Sequence, residues 1–311
     1  MQLFKMNPIF KSRLWGGSKL KELYQKNSPF DVTAESWEIA SHGNDESTVC
    51  GGEHDGKTIK QLTEIYKEKL LGDKVYKGKD TRFPLLIKLI DAKDDLSIQV
   101  HPTDEYANEH ENGELGKTEM WYILEAEKGA GLIYGFKKDI TKQEFEESIK
   151  NNTLLDYVNF VECKKGDCFF IPSGMLHAIG KGILLAEIQQ NSDTTYRVYD
   201  YNRKDADGNT RELHIDKAID VTNLTSSVGN EYAVEKDGVL VNCDYFTTEK
   251  ITLNGELTVN VSKDSFETLV VCDGTAVING SVYTKGDSIL VPAYAGKMEM
   301  TGNAVILRSY L

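Results

Sequence analysis

The sequence predicts a mainly β protein. A β-sandwich half with short helical insertions (residues 1–236) precedes a smaller β half (residues 237–311). Three observations lead there. Short segments of alternating apolar and polar residues recur along the chain, which is the period of a strand with one buried face. Helical spacing is confined to a few short, capped stretches. Lys165-Gly166-Asp167 with Pro172 returns as Lys285-Gly286-Asp287 with Pro292, each time a glycine, five residues and a proline, so one sandwich element is used twice.

The totals narrow the function. The 311 residues carry a net charge of −13, which argues against nucleic acid as a partner, because phosphate backbones require an excess of Lys and Arg. Five cysteines with no CxxC pair argue against a disulfide framework or a thiolate zinc site. The first ten residues hold no apolar leader, and no apolar run reaches the length of a membrane span. A cytoplasmic protein without membrane contact is expected. Nothing in the sequence fixes an oligomeric state, and a monomer is compatible with it.

In chain order, Arg13-Leu14-Trp15-Gly16-Gly17 reads as a turn with one aromatic. Residues 35–40 alternate as a strand and stop at the turn residues Ser41-His42-Gly43-Asn44. Residues 58–71 read as one covering helix: Thr58 and Gln61 have capping-box spacing, Ile59, Leu62, Tyr66 and Leu70 share a face, and Gly72 is the stop. Residues 83–92 form an apolar strand interrupted by Lys88.

Next comes Leu96-Ser97-Ile98-Gln99-Val100-His101-Pro102, which puts Ser97, Gln99 and His101 on one face of a strand and the apolar residues on the other. Polar groups on a covered face need a partner, and a metal or polar ligand supplies one. Thr103 caps a short helix to Glu111, closed by Asn112-Gly113. The strand at 117–124 aligns Lys117, Glu119 and Trp121, and Thr141 with Glu144 caps a helix to Ile149.

From Gly166 a turn, a buried strand and a proline-glycine turn lead to His177. Residues 183–189 then align Leu185, Glu187 and Gln189, and residues 194–201 align Thr195, Arg197 and Tyr199. A polar loop follows over 202–211, then a short helix over 215–221. From Asp237 onward the chain reads as short strands joined by glycine turns, with no histidine.

Of six histidines, His54 and His110 read as solvent-facing, His214 as structural and His42 as outside the site. His101 and His177 end strands beside turns. Gln99, His101, Glu119 and His177 offer two imidazoles, a carboxylate and an amide oxygen, a set that suits Zn, Mn, Fe or Co, provided the fold brings Glu119 and His177 to the other two.

Residues 166–177 fit the second cupin pattern, Gly-x5-Pro-x-Gly-x2-His. Trp15-Gly16-Gly17, the 96–102 strand and Lys117-Thr118-Glu119-Met120-Trp121-Tyr122 are similar to segments of the type I mannose-6-phosphate isomerases, and the length resembles their short bacterial form. The resemblance implies a cupin (jelly-roll) domain and a second, degenerate cupin-like domain whose residues 293–298 lack a counterpart of His177. It implies one Zn2+ per chain on Gln99, His101, Glu119 and His177, with Arg197 catalytic.

The implied reaction exchanges mannose 6-phosphate and fructose 6-phosphate through a metal-stabilised enediol(ate). Glu187 is the preferred general base, with Lys117 the other candidate. Arg197 and Lys117 are expected on the phosphate, with the Ser97 hydroxyl beside them. Long-form members carry Thr-Pro-Lys after the arginine, whereas this chain has Tyr199-Asp200-Tyr201-Asn202-Arg203, so phosphate contacts are not carried over from the long-form enzymes. Residues 38–43 are similar to the longer forms only loosely. A metal-dependent cupin dioxygenase and a non-catalytic sugar-phosphate sensor are the alternative readings.

Overall fold

The structure is a computed structural model that describes residues 1–78, 81–204, 208–229, 236 and 238–311. Its chain makes three layers of β-sheet. A five-stranded sheet has the order Val158–Glu162, Gly131–Phe136, His177–Ile179, Ile98–Val100, Tyr196–Tyr199. A six-stranded sheet has the order Cys168–Ile171, Glu119–Ala126, Ile183–Gln190, Leu85–Ala92, Glu35–Ile39, Ile9–Lys11. The third sheet is built on Val239–Asn242, Thr247–Asn260, Lys297–Tyr310, Glu267–Ile278 and Ser288–Val291.

The six-stranded sheet is the middle layer. On one side Ile90, Trp121, Ile123 and Leu185 pack against Leu132, Tyr134 and Ile179 of the five-stranded sheet. On the other, Leu85, Ile87, Leu89, Met120 and Ala186 pack against Phe246, Phe266, Val270 and Leu290. A sheet covered on both faces needs apolar residues in both phases, which is why Leu85–Ala92 reads as a continuous apolar run. Lys88 sits inside that run and is buried, so its charge requires a partner.

The repeat is structural. Lys164 N–H donates to the Asp167 carboxylate and Thr284 N–H to that of Asp287, at 2.8 and 2.9 Å. Gly166 N–H reaches Ile123 O as Gly286 N–H reaches Val271 O, and Ile123 and Val271 N–H return to the Asp167 and Asp287 carbonyls. Each turn thus opens a strand by the same bonds. After Pro292 the second copy makes a turn at Ala293–Ala295, with no histidine.

Four expectations change. The 58–71 helix is two pieces, Ile59–Tyr66 and Glu68–Leu71, because Lys67 takes a left-handed conformation (φ 51°); Leu70 and Leu71 are both wholly buried after that bend. The capping boxes at Thr58 and Thr141 form as the spacing implies. The late strands are long, with Thr247–Asn260 and Lys297–Tyr310 of 14 residues each. Gly255, Gly274 and Gly302, read as turns, lie within late strands: a Cβ at Gly274 would sit 2.1 Å from Asn303 O, so glycine there permits close strand approach. His54 is buried, at 2.5 Å from the Tyr66 hydroxyl and edge-on to Phe4.

Finally, the first strand, Phe4–Asn7, pairs with Ser288–Val291 (Phe4 opposite Leu290), so the N-terminus belongs to the third sheet. The boundary residue Asp237 and loop residue Asp207 lie outside the described residues. All five cysteines are free, and no helix among the described residues is long and apolar enough to cross a membrane.

Candidate metal centre

Strand pairing assembles the site. Gln99 is opposite His177 on one side and Arg197 on the other. Glu119 comes from the facing sheet, paired with Ile171 and Gln189. The proline-glycine turn is fixed by Gly174 N–H donating to His101 O, which brings His177 back beside His101. The result is a buried cluster in which ligand atoms of His101, Glu119 and His177 lie within 4.8 Å of one another.

The protonation pattern of the cluster is set by its backbone neighbours. His101 Nδ1 donates to Thr194 O (2.9 Å) and His177 Nδ1 to Met175 O (2.8 Å). A carbonyl can only accept, so both rings carry their proton on Nδ1 and present a bare Nε2. Those Nε2 atoms lie 3.6 and 3.4 Å from the two oxygens of Glu119. His101 Nε2 and both Glu119 oxygens are buried without a hydrogen bond. Lone pairs converging on one point repel unless a cation sits between them, and backbone carbonyls orienting ligand imidazoles are the usual outer shell of a metal site. The Gln99 amide is 3.4 Å from His177 Nε2; with its nitrogen and oxygen exchanged, an equivalent assignment, it supplies a fourth ligand oxygen. The residues therefore fit a divalent metal.

Electrostatics agree. Burial, then the Lys117 charge, pushes His101 down to about 3, and burial also lowers His177, so both imidazoles are neutral. Burial disfavours the Glu119 carboxylate, but the Lys117 charge holds it well below the usual range. Lys117, 2.9 Å from Glu119, stays charged because Glu119 and Glu187 outweigh its burial.

Beside the cluster a row crosses three strands: Lys88, Glu187 and Trp121 are direct neighbours in register. Lys88 Nζ is 3.0 Å from Glu187 Oε1, and Trp121 Nε1 donates to Oε2 at 2.9 Å. Lys117 is 3.8 Å from the same carboxylate. Burial and the Glu119 charge raise the Glu187 pKa, against Lys117 and Lys88. Lys88, Lys117 and Glu187 open onto a 260 Å3 cavity also lined by Ser97, Gln99, Arg197, Arg13, Trp15 and Arg211.

Residues 3–130 match the family description "Phosphomannose isomerase type I, catalytic domain", and residues 236–311 match "Mannose-6-phosphate isomerase, cupin domain". The chain is 41% identical over 317 residues to the mannose-6-phosphate isomerase ManA of Bacillus subtilis, covering 98% of this chain and 97% of that one. The chain belongs to the type I phosphomannose isomerase family. A mannose-6-phosphate isomerase of Streptococcus mutans is 37% identical, covering 99% of this chain and 98% of that one. The crystal structure of the mannose 6-phosphate isomerase from Bacillus subtilis superposes with a TM-score of 0.88 at 35% identity, covering all of both chains.

In this member of the family the structure brings all eight residues singled out in the sequence together: Ser97, Gln99, Lys117, Glu187 and Arg197 line one cavity, and His101, Glu119 and His177 form the buried cluster that Gln99 and Lys117 touch. The sequence reading missed Lys88, Arg13 and Arg211. Lys88 was signalled by its place in an apolar strand; the two arginines lie in loops, where no periodicity tells where a side chain goes. His42, set aside in the sequence, lines a separate groove and bonds Asn191. His110 is exposed and stacks on Tyr106, and His214 Nδ1 accepts from Arg197 N–H, a structural contact.

Proposed function

We propose that this chain is a zinc-dependent mannose-6-phosphate isomerase that exchanges mannose 6-phosphate and fructose 6-phosphate through an enediol. The observation that carries the reading is the convergence of unsatisfied His101 and Glu119 atoms beside Gln99 and Lys117 of a cavity whose wall includes Arg197, which has no ion pair among the described residues. Gln99, His101, Glu119 and His177 would hold one zinc ion, which when bound supplies redox-inert Lewis acidity towards the two oxygens of the reacting carbons.

The chain's own groups then account for the proton transfer. Glu187, raised by burial and Glu119, is the general base that carries the proton between C2 and C1; a carboxyl shifted upward can both take and return it near neutral pH. Its two oxygens are fixed by Lys88 and Trp121, yet each keeps a further lone pair towards the cavity. Lys117 keeps Glu119 ionised and is the alternative proton carrier. Arg197, anchored by Ser97 Oγ at 3.3 Å, offers its remaining N–H groups to the substrate phosphate. Burial of the reacting end keeps water from competing for the proton.

All of these residues come from one chain, so a monomer suffices. Residues 1–236 carry the site, and residues 237–311 cover the outer face of the middle sheet. We place the enzyme in the cytoplasm, where its free thiols stay reduced.

The test is conversion of mannose 6-phosphate to fructose 6-phosphate in a coupled assay. Turnover is expected in the wild type. Glu187→Gln should lose at least about 100-fold in kcat with metal content unchanged; retention of most of kcat would remove Glu187 from the role of base.

A further inference from the structure

The cavity has a second end, away from the metal cluster, and that end is cationic. Arg13, Arg197 and Arg211 line it with Ser97. Arg13 and Arg211 also face an adjoining 520 Å3 cavity together with Arg203 and Asp200. In a chain of net charge −13 such clustering needs a reason.

Among the described residues these cations are not fully neutralised: Arg197 donates to the neutral oxygens Ser97 Oγ at 3.3 Å and Glu212 O at 2.9 Å and has no ion pair there. Arg13 is exposed and donates to Ser12 O, with no carboxylate partner among the described residues. The buried Asp200 carboxylate holds two guanidiniums at once. Arg211 Nε reaches Oδ2 at 2.7 Å, while Arg211 and Arg203 both donate to Oδ1. Among the described residues that is one negative charge against two positive ones. Burial first, then the neighbouring Arg211 charge, lowers the Arg197 pKa, which shows that the two positive groups face each other. The carboxylates on the same wall are engaged elsewhere: Glu187 with Lys88 and Trp121, Glu35 with the Trp37 indole at 2.6 Å, and Asp193 with the charge of Lys117 at the metal end.

The spacing suits a six-carbon phosphate. Arg197 leans onto Ser97, and Arg203 bonds the carbonyl of Asp95, so the cations gather at the start of the strand that ends in Gln99 and His101. Residues two apart in a strand are ~6.6 Å apart, so Ser97 lies about 7 Å from Gln99 and about 13 Å from His101. From C1 to phosphorus a hexose 6-phosphate spans on the order of 8 Å at ordinary bond lengths.

We propose that Arg13, Arg197 and Arg211 form the phosphate subsite of this chain, and that Asp200 is a positioning residue that aims Arg211 at it. The proposal rests on the isomerase reading. Guanidinium forks match phosphate oxygens in pairs, and three of them on one dianion bind more tightly and more selectively than point charges.

The experiment uses the zinc-loaded full chain. Calorimetry measures binding of fructose 6-phosphate, fructose and inorganic phosphate, and steady-state kinetics are run alongside. Arg13→Ala and Arg211→Gln should each weaken fructose 6-phosphate and inorganic phosphate by roughly 10- to 100-fold, the scale of a lost charged hydrogen bond, with zinc content and circular dichroism unchanged. Asp200→Asn should raise KM with kcat within about threefold, and Asp200→Glu should recover part of the loss.

Arg13 is exposed and its side chain makes no hydrogen bond or ion pair outside its own loop among the described residues, so its variant carries the test even where Arg211→Gln fails to fold. Unchanged Kd in Arg13→Ala overturns the subsite while normal turnover leaves the isomerase reading standing. Wild-type protein that binds fructose 6-phosphate through these arginines without turning it over overturns the isomerase reading alone. Wild-type protein that binds neither sugar phosphate nor phosphate overturns both.

Discussion

Lys88→Met isolates what the buried charge row contributes. Lys88 and Glu187 are both almost wholly buried, with side-chain exposures of 5% and 4%, and meet at 3.0 Å. Methionine fills much the same volume, so the change removes a charge rather than a shape. Breaking a buried pair by deleting one partner costs ~3–5 kcal/mol, because the other charge is left uncompensated. Lys117 remains 3.8 Å from Glu187 and offsets part of this, so about 3 kcal/mol is expected at pH 8.

The loss must depend on pH. The folded-state pKa of Glu187 is already raised, and deleting Lys88 raises it further. A carboxyl whose folded pKa lies above its unfolded value stabilises the fold below the unfolded pKa, and that stability is lost as pH rises through the folded pKa. The deficit should therefore shrink from pH 8 to pH 5.5, because protonation of Glu187, favoured as pH falls, replaces the lost partner. Urea unfolding at the two pH values, on protein of equal metal content, measures it. Lys88→Met/Glu187→Gln should regain most of the loss at pH 8. A deficit below about 1 kcal/mol at pH 8, or one equal at both pH values, would refute the reasoning.

Other changes probe other parts of the account. His177→Ala should reduce bound metal from one ion per chain toward none, measured by elemental analysis after dialysis, with the far-UV circular dichroism kept. Arg197→Ala should abolish most turnover while metal content stays at the wild-type level; loss of the metal as well would make the arginine structural. Gly17→Ala should destabilise the fold by about 1–3 kcal/mol in urea unfolding, because the new Cβ would lie 2.5 Å from the buried Asp91 carboxylate. The Asp200 pKa is held down by Arg211 and Arg203 against burial, so its stabilisation is present above about pH 3.9 and is lost as pH falls through the lower folded value. Asp200→Asn should flatten that acid limb of the stability curve.

Much of this site was legible in one dimension because strands write their geometry into the sequence. The two-residue period put Ser97, Gln99 and His101 on one face, and likewise Lys117, Glu119 and Trp121, and the structure keeps both faces. The Gly166–His177 turn was legible for the same reason its copy at Gly286 was: a short pattern with fixed hydrogen bonds. What could not be read was three-dimensional. The carbonyls of Thr194 and Met175 that orient the imidazoles belong to residues whose side chains carry no such role. Arg13 and Arg211 lie in loops almost 200 residues apart and meet only through the fold. The long late strands were cut short on paper by glycines that serve close backbone approach instead of turns. His54 looked polar and exposed, yet Phe4 and Tyr66 enclose it.

The central claim is that the cluster of His101, Glu119 and His177, with its orphaned His101 Nε2 and Glu119 oxygens, is a zinc site on which isomerisation depends. The most direct test strips the metal completely, then restores zinc stepwise while mannose 6-phosphate conversion and bound zinc are read together. Activity should vanish in the stripped protein and rise in proportion to zinc, levelling at one ion per chain. Full turnover by protein with no bound metal would contradict the account.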